Sequence, residues 1–170
     1  MSVSVGFKIY HRLVSVIVIT GGLIGAALLF IVTLTTFYEV IARYLLDRPT
    51  SWSLDYGIYM VMWGTFLGAG YTLKWRGHIC VEVLVEKLSN KWRRILKVFV
   101  YALSLVFCFI LAWRGLVSCI EAYQYKEVTL SYSRTPLYVP MLSIPIGSAL
   151  MVLEIVSQLI GMFQEGAEEK

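Results

Sequence analysis

The stretch Trp63-Gly64-Thr65-Phe66-Leu67-Gly68-Ala69-Gly70-Tyr71-Thr72-Leu73 carries no charge. Lys74, Arg76, Lys87, Lys91, Arg93, Arg94 and Lys97 follow it, with only Glu82 and Glu86 opposing them. Lys and Arg are poorly translocated, so an apolar segment that ends in dense cations marks the cytoplasmic side of a membrane. Every other segment is oriented from that point.

Composition agrees. Of 170 residues, 58% are hydrophobic and 15% charged, against roughly 25% charged in a soluble domain. The chain therefore reads as an all-α membrane protein, a single integral domain over residues 1–170 whose solvent is the lipid bilayer. The formal charge of +4 gathers in one loop, where it reports orientation and anionic headgroups. A nucleic-acid binder would spread its cations over a folded face, and no motif of that kind occurs, so nucleic acid is excluded as a partner. Cys80, Cys108 and Cys119 have no metal or disulfide spacing. On one helix, Cys108 and Cys119 would stand roughly 16 Å apart, too far to bridge. They read as small buried apolar residues.

In chain order, Lys8, His11 and Arg12 precede an uncharged run over 13–38. A signal peptide has an apolar region of only about 7–15 residues. This longer run suits a retained first span, placed at about 13–37. Gly21 and Gly25, then Gly22 and Ala26, carry the four-residue spacing that lets helices approach closely. Glu39 and Arg43 stand at i and i+4 and can pair. Pro49 excludes Arg48 from helical geometry, Thr50 or Ser51 can cap the next helix, and Trp52 suits an interfacial anchor. A second span is expected at about 54–73, with Gly57, Gly64 and Gly68 on one face as a second packing seam. Together with the first it forms a tight antiparallel hairpin.

No stretch between Arg76 and Lys97 is long and apolar enough to cross. Ile79, Val83, Leu84 and Leu88 form a partial stripe against Glu82, Glu86, Lys87 and Lys91. That pattern predicts an amphipathic helix at about 79–91 in the cytoplasmic interface, anchored by Trp75 and Trp92. The third span, about 98–120, is interrupted by Arg114, with Glu121 seven residues on along the same face. An arginine at this depth is costly; it either meets a partner group or snorkels outward. The last span, about 136–163, opens near Pro136, and Pro140 and Pro145 predict a kink in its outer half. Glu154 falls in its inner third, either carrying a proton or meeting a polar group on a neighbouring helix. Four crossings with both termini inside place ten of the 15 Lys and Arg residues on the cytoplasmic side, as the positive-inside bias requires.

Several short motifs, in this order and topology, resemble the small membrane subunit (DctQ type) of tripartite ATP-independent periplasmic (TRAP) transporters. They are Arg43-Tyr44 after the first span, then Trp52-Ser53 with Asp55 opening the second. Gly68-Ala69 leads into Gly77-His78-Ile79-Cys80-Val81-Glu82, similar to the family's glycine-histidine-isoleucine-x-valine-acid signature. The spacing of Pro136, Pro140 and Pro145 also matches. The likeness covers roughly residues 10–162. Leu54 departs from it, standing where the family often has a second acid beside that at Asp55.

The resemblance implies a bacterial inner-membrane subunit without catalytic, substrate, metal or cofactor sites. It would widen the scaffold of a large DctM-type membrane subunit that performs sodium-coupled uptake of an organic acid. A periplasmic substrate-binding protein delivers that acid. The residues suit a passive part, because the paired broken helices and repeated halves that build midplane transport sites are absent from the pattern. Family-motif, structural or partner-contact roles then fall to Arg43, Tyr44, Trp52, Asp55, Gly64, Gly68, His78, Glu82, Arg114 and Glu154. His78 reads as a bend-former at the cytoplasmic end of the second span. Glu82 pairs with Lys74 or Arg76, or with the large subunit. Arg43 and Asp55 build the outer corner or touch the binding protein.

Other classes fit less well. A haem-bearing anchor subunit of a redox complex needs axial ligands inside its spans, and His11 and His78 both lie outside them. A self-contained small transporter is expected to hold an acid deep in a helix, and only Glu154 comes near. An enzyme needs clustered nucleophile, base or metal ligands, a pattern the sequence lacks.

Overall fold

A computed structural model of the chain describes residues 2–48, 50, 52–76, 90–129 and 134–168. Their regular structure is helical: α1 (Ser2–Leu45), α2 (Trp52–Arg76), α3 (Asn90–Gln124), α4 (Tyr138–Met141) and α5 (Ser143–Glu168). One antiparallel bridge, Val128 to Pro136, closes the connection between α3 and α4.

Among the described residues, three helical segments are long and apolar enough to cross a membrane: Ile9–Leu45, Ile95–Gln124 and Tyr138–Met162. Proline is absent from α1, α2 and α3, so each backbone ladder runs uninterrupted. Three hydroxyls on the exposed face of α1 bond back to their own helix. Thr20, Thr33 and Thr36 donate to the carbonyls of Val16, Leu29 and Val32 at 2.8, 2.8 and 2.7 Å, leaving no free donor toward hydrocarbon. α2 has 25 residues, about 37 Å at 1.5 Å per residue, but Asp55, Lys74, Arg76 and four glycines lower its hydropathy and keep it out of that set of apolar segments.

α2 is the centre of the bundle. It packs antiparallel along α1 and, on its other flank, against α5, while α3 meets α5 and α4. Glycines set these approaches. A Cβ added to Gly25 would lie 2.8 Å from Gly64 O and 3.0 Å from Gly68 N; one on Gly64 would lie 2.8 Å from Leu29 Cγ. Gly22 takes the Tyr71 ring in the same way. Gly147 of α5 sits on Phe66, with both Cβ and carbonyl oxygen 2.6 Å from the missing methyl, and Gly115 of α3 on Ile144 at 2.7 Å. Such contacts let backbones approach to a distance that any larger residue forbids.

The helix ends follow from local chemistry. Asp47 takes φ 48°, turning the chain after α1 so that Arg48 N–H returns to Ala42 O at 3.0 Å. At the end of α3, Lys126 takes φ 51°. Lys126 N–H then reaches Tyr123 O at 3.3 Å and Glu127 N–H reaches Ala122 O at 3.0 Å, the paired bonds of a Schellman ending.

The proline-rich outer part of the last span is two helical pieces, α4 and α5, joined at Leu142 with the backbone still helical: Leu142 N–H bonds Tyr138 O at 3.0 Å and Ile146 N–H bonds Leu142 O at 3.3 Å. Pro145 has no N–H to offer Met141 O, and Ser143 Oγ donates to Pro140 O at 2.7 Å. Other bounds also shift. α1 runs past both ends of 13–37, and α3 begins at Asn90, so the cations at Lys91, Arg93, Arg94 and Lys97 extend the third span's own helix. The interfacial helix expected at about 79–91 lies outside the described residues over 79–89, while Asn90 and Lys91 open α3. The buried centre is Tyr101, Cys108 and Ile155, with Leu73, Leu105, Met151 and Leu159 packed around it. Cys108 and Cys119 are free and buried, as their spacing implied.

Candidate functional site

The bundle carries polar groups at its two ends and small residues between them. At the α1–α2 corner, Glu39 accepts from Thr50 N–H at 3.2 Å and from Thr50 Oγ1, and pairs with Arg43 at 3.0 Å. One carboxylate thus ties the last turns of α1 to the chain entering α2. Its side chain is 12% exposed against 49% for Arg43, so the two bonds differ in worth. Loss of a part-buried acceptor that serves a backbone amide costs about 1–3 kcal/mol, whereas an exposed i,i+4 pair contributes only about 0.3–0.5 kcal/mol. Glu39→Ala should lower thermal stability in detergent clearly, and Arg43→Ala scarcely at all. Equal effects would show that the ion pair, not the clasp on Thr50, holds the corner.

Asp55, 5% exposed, sits in the first turn of α2 beside buried Ser53, where the helix N-terminus favours a carboxylate. Between Glu39 and Ser53 the corner opens into a cleft of about 360 Å³ lined by Val32, Thr36, Gly57 and Ile58. Arg43, Tyr44 and Trp52 face outward around it, Tyr44 almost fully exposed. Next to the corner, Tyr59 OH bonds Thr129 Oγ1 at 3.2 Å and Thr135 Oγ1, pinning the α3–α4 connection onto α2. Trp63 Nε1–H donates to Val139 O at 3.2 Å, and Tyr123 stands edge-to-face on Tyr138 at 5.5 Å. An acid, a tyrosine and three threonines thus organise this end; the sequence pattern had singled out the Glu39–Arg43 pair and offered Thr50 as a helix cap.

In the middle, the two motif glycines separate. Gly64 is buried against Leu29, whereas a Cβ on Gly68 would meet nothing within 4 Å. Gly68 instead lines an apolar groove of about 540 Å³ with Thr65, Ala69, Thr72 and Met151. Of the seam expected from Gly57, Gly64 and Gly68, Gly64 packs on Leu29 and Gly68 offers its backbone to Gly25, while the side of Gly68 that a Cβ would occupy faces the groove.

At the other end, Glu154 is 3% exposed on α5. Gln158 Nε2–H donates to Glu154 Oε1 at 3.0 Å and to Leu73 O of α2 at 3.4 Å. Lys74 Nζ donates to Ser15 Oγ, a bond from α2 to α1 at the same end. The polar partner of Glu154 is thus one turn along its own helix, and Gln158 carries the link to the neighbour. Arg114 is exposed on α3 and makes no ion pair among the described residues, Glu121 included. His78 and Glu82 lie outside the described residues. Among those described, no three His, Cys, Asp or Glu side chains gather as a metal would require.

Comparison with known proteins bears on this geometry directly. The family described as tripartite ATP-independent periplasmic transporters, DctQ component, matches residues 32–165. The chain is 26% identical over 152 residues to the C4-dicarboxylate TRAP transporter small permease protein DctQ of Vibrio cholerae, covering 75% of this chain and 66% of that protein. It is 24% identical over 143 residues to the isethionate TRAP transporter permease protein DctMQ of Oleidesulfovibrio alaskensis, covering 79% of this chain and 21% of that one. It therefore spans just under two thirds of the first relative and about a fifth of the second. A helical bundle with several apolar spans, and a family match over most of its length, make this a multi-pass inner-membrane protein and a transporter component rather than an enzyme: the chain belongs to the DctQ family of TRAP transporters.

Proposed function

We propose that the chain is the fixed, non-transporting subunit of a TRAP-type secondary transporter. It holds a large DctM-type membrane subunit that takes up an organic acid together with sodium, the acid arriving on a periplasmic binding protein. The observation that carries this reading is where the polar groups lie. The mid-bundle contacts are glycine on backbone or ring, and the acids and cations of the α1–α2–α5 unit sit at its ends. The α1–α2–α5 unit, locked by backbone contact and without a charged residue at mid-depth among its described residues, is built to stay still rather than carry an ion. The two relatives are named for a C4-dicarboxylate and for isethionate, both small organic anions, and the name DctMQ joins the two components in one protein. These support the substrate class and the large partner.

In the bilayer, α2 is the fourth crossing. It runs beside α1 from the Glu39–Thr50 clasp to the Lys74–Ser15 bond, the whole thickness that α1 itself spans. Both termini are cytoplasmic, with the corner at Glu39 and Asp55 facing the periplasm. The segment at about 79–91 lies in the cytoplasmic interface, and residues 1–170 form one membrane domain. Co-expression with a tagged DctM-type subunit from the same transporter tests this. The two should co-purify in detergent as one stable complex; separation of a well-folded small chain from a well-folded large one would overturn the reading.

A further inference from the structure

Arg114 is the exposed cation of α3 that lies within a span. Leu103, Phe107, Ile110, Arg114 and Glu121 recur at spacings of four, three, four and seven residues. At about 100° per residue they form one narrow stripe. Each of the five is exposed, while Tyr101, Cys108, Gly115, Cys119 and Ala122, which turn toward α4 and α5, occupy the opposite side of the helix and are buried. The stripe is therefore part of the broad exposed side of α3, which also carries Phe99, Val106 and Trp113.

A wholly lipid-facing stripe would be apolar. Arg114 is not at the helix end, where a long side chain reaches water with ease. It lies ten residues before the end of α3 at Gln124, about 15 Å along the axis. In a helix every Cα–Cβ bond tilts toward the N-terminus, so this side chain sets out away from the nearer membrane surface. Glu121, two turns on, is beyond the i+4 reach that pairs side chains on one helix. A guanidinium so placed calls for an anion at its own depth.

We propose that this stripe is where α3 docks on a membrane-spanning helix of the large subunit, and that Arg114 pairs there with a carboxylate of that helix. Phe107 and Ile110 pack beside the pair and keep water and lipid out, as an apolar ring around a charged contact does. The assignment rests on the scaffold reading above and names the surface that serves it.

The test places a photo-reactive amino acid at Phe107 or Ile110 in the full chain co-expressed with the large subunit, and follows co-purification for Arg114 variants. An adduct with the large subunit is expected from both positions. Arg114→Glu should retain about tenfold less large subunit, a loss of roughly one decade in affinity, and Arg114→Lys most of the wild-type amount. Arg114→Leu, which eases membrane insertion and so guards against misfolding, should lose the partner while remaining monodisperse. Adducts only with lipid, or only with a second copy of the chain, would overturn the assignment. So would Arg114→Glu and Arg114→Leu complexes as stable as wild type. Failure of the wild-type chain itself to retain the large subunit would instead sink the scaffold reading, and this assignment with it.

Discussion

Gly147→Leu and Gly25→Leu should each leave the purified chain aggregated or polydisperse in detergent, while Gly68→Ala elutes and melts as wild type or slightly above it. All three are glycines of apolar helices, and the outcomes are set by what a side chain would meet. At Gly147 a first methyl already falls 2.6 Å from the carbonyl oxygen and the Cβ of Phe66, and at Gly25 it falls 2.8 Å from Gly64 O. Backbone cannot swing aside as a side-chain tip can, so the helices must separate. Overpacking in a dense interior costs about 1–3 kcal/mol where side chains give way, and more where they cannot. At Gly68 nothing stands within 4 Å, and alanine in a helix is favoured over glycine by about 0.8–1 kcal/mol. Thermal unfolding followed by tryptophan emission separates these outcomes. Wild-type behaviour of Gly25→Leu and Gly147→Leu would mean that α1, α2 and α5 do not approach as described.

Gln158→Leu should destabilise the chain by about 2–3 kcal/mol, because it leaves the Glu154 carboxylate buried without its donor. Glu154→Gln keeps an acceptor for Gln158 and should cost no more than about 1 kcal/mol. The double replacement Glu154→Leu with Gln158→Leu removes both partners of the 3.0 Å bond and should recover most of the loss, since exchanging a buried polar pair for apolar groups is often near neutral. The informative quantity is the coupling in the double-mutant cycle, expected at about 1–2 kcal/mol for residues in direct contact. Additive losses would show that Glu154 and Gln158 stabilise α5 separately.

Much of this arrangement was legible in the residues. Uncharged runs, cation clusters and the spacing of Pro140 and Pro145 point to the apolar spans and to an irregularity in the last one, because these are properties of a segment alone. The hairpin of the first two helices was readable from Gly25 and Gly64 for the same reason: small residues at helical spacing mark a close face whatever the partner. What the sequence hid is what depends on two segments at once. Glu39 is visible as an i,i+4 partner of Arg43, but its bonds to Thr50 arise only when the Asp47 turn brings the chain back. Gly115 lacks a glycine, alanine, serine or threonine four residues away and Gly147 has only Ser143, and both were passed over, yet each takes a contact as close as that at Gly25. Gly68 shows the converse: its backbone meets Gly25, yet the side that a Cβ would occupy is open. Tyr59 and Gln158 look like ordinary interior residues until the α3–α4 connection and the end of α2 arrive beside them. Propensity and periodicity assign a face to a residue; they do not say which partner fills it.

Reconstitution into liposomes tests the claim that this subunit braces and does not transport. With an inward sodium gradient, the substrate and the binding protein present, vesicles holding both membrane subunits should accumulate the organic acid. Vesicles holding this chain alone should take up none, and those holding only the large subunit far less. Accumulation by this chain alone, driven by sodium or by protons, would contradict the account.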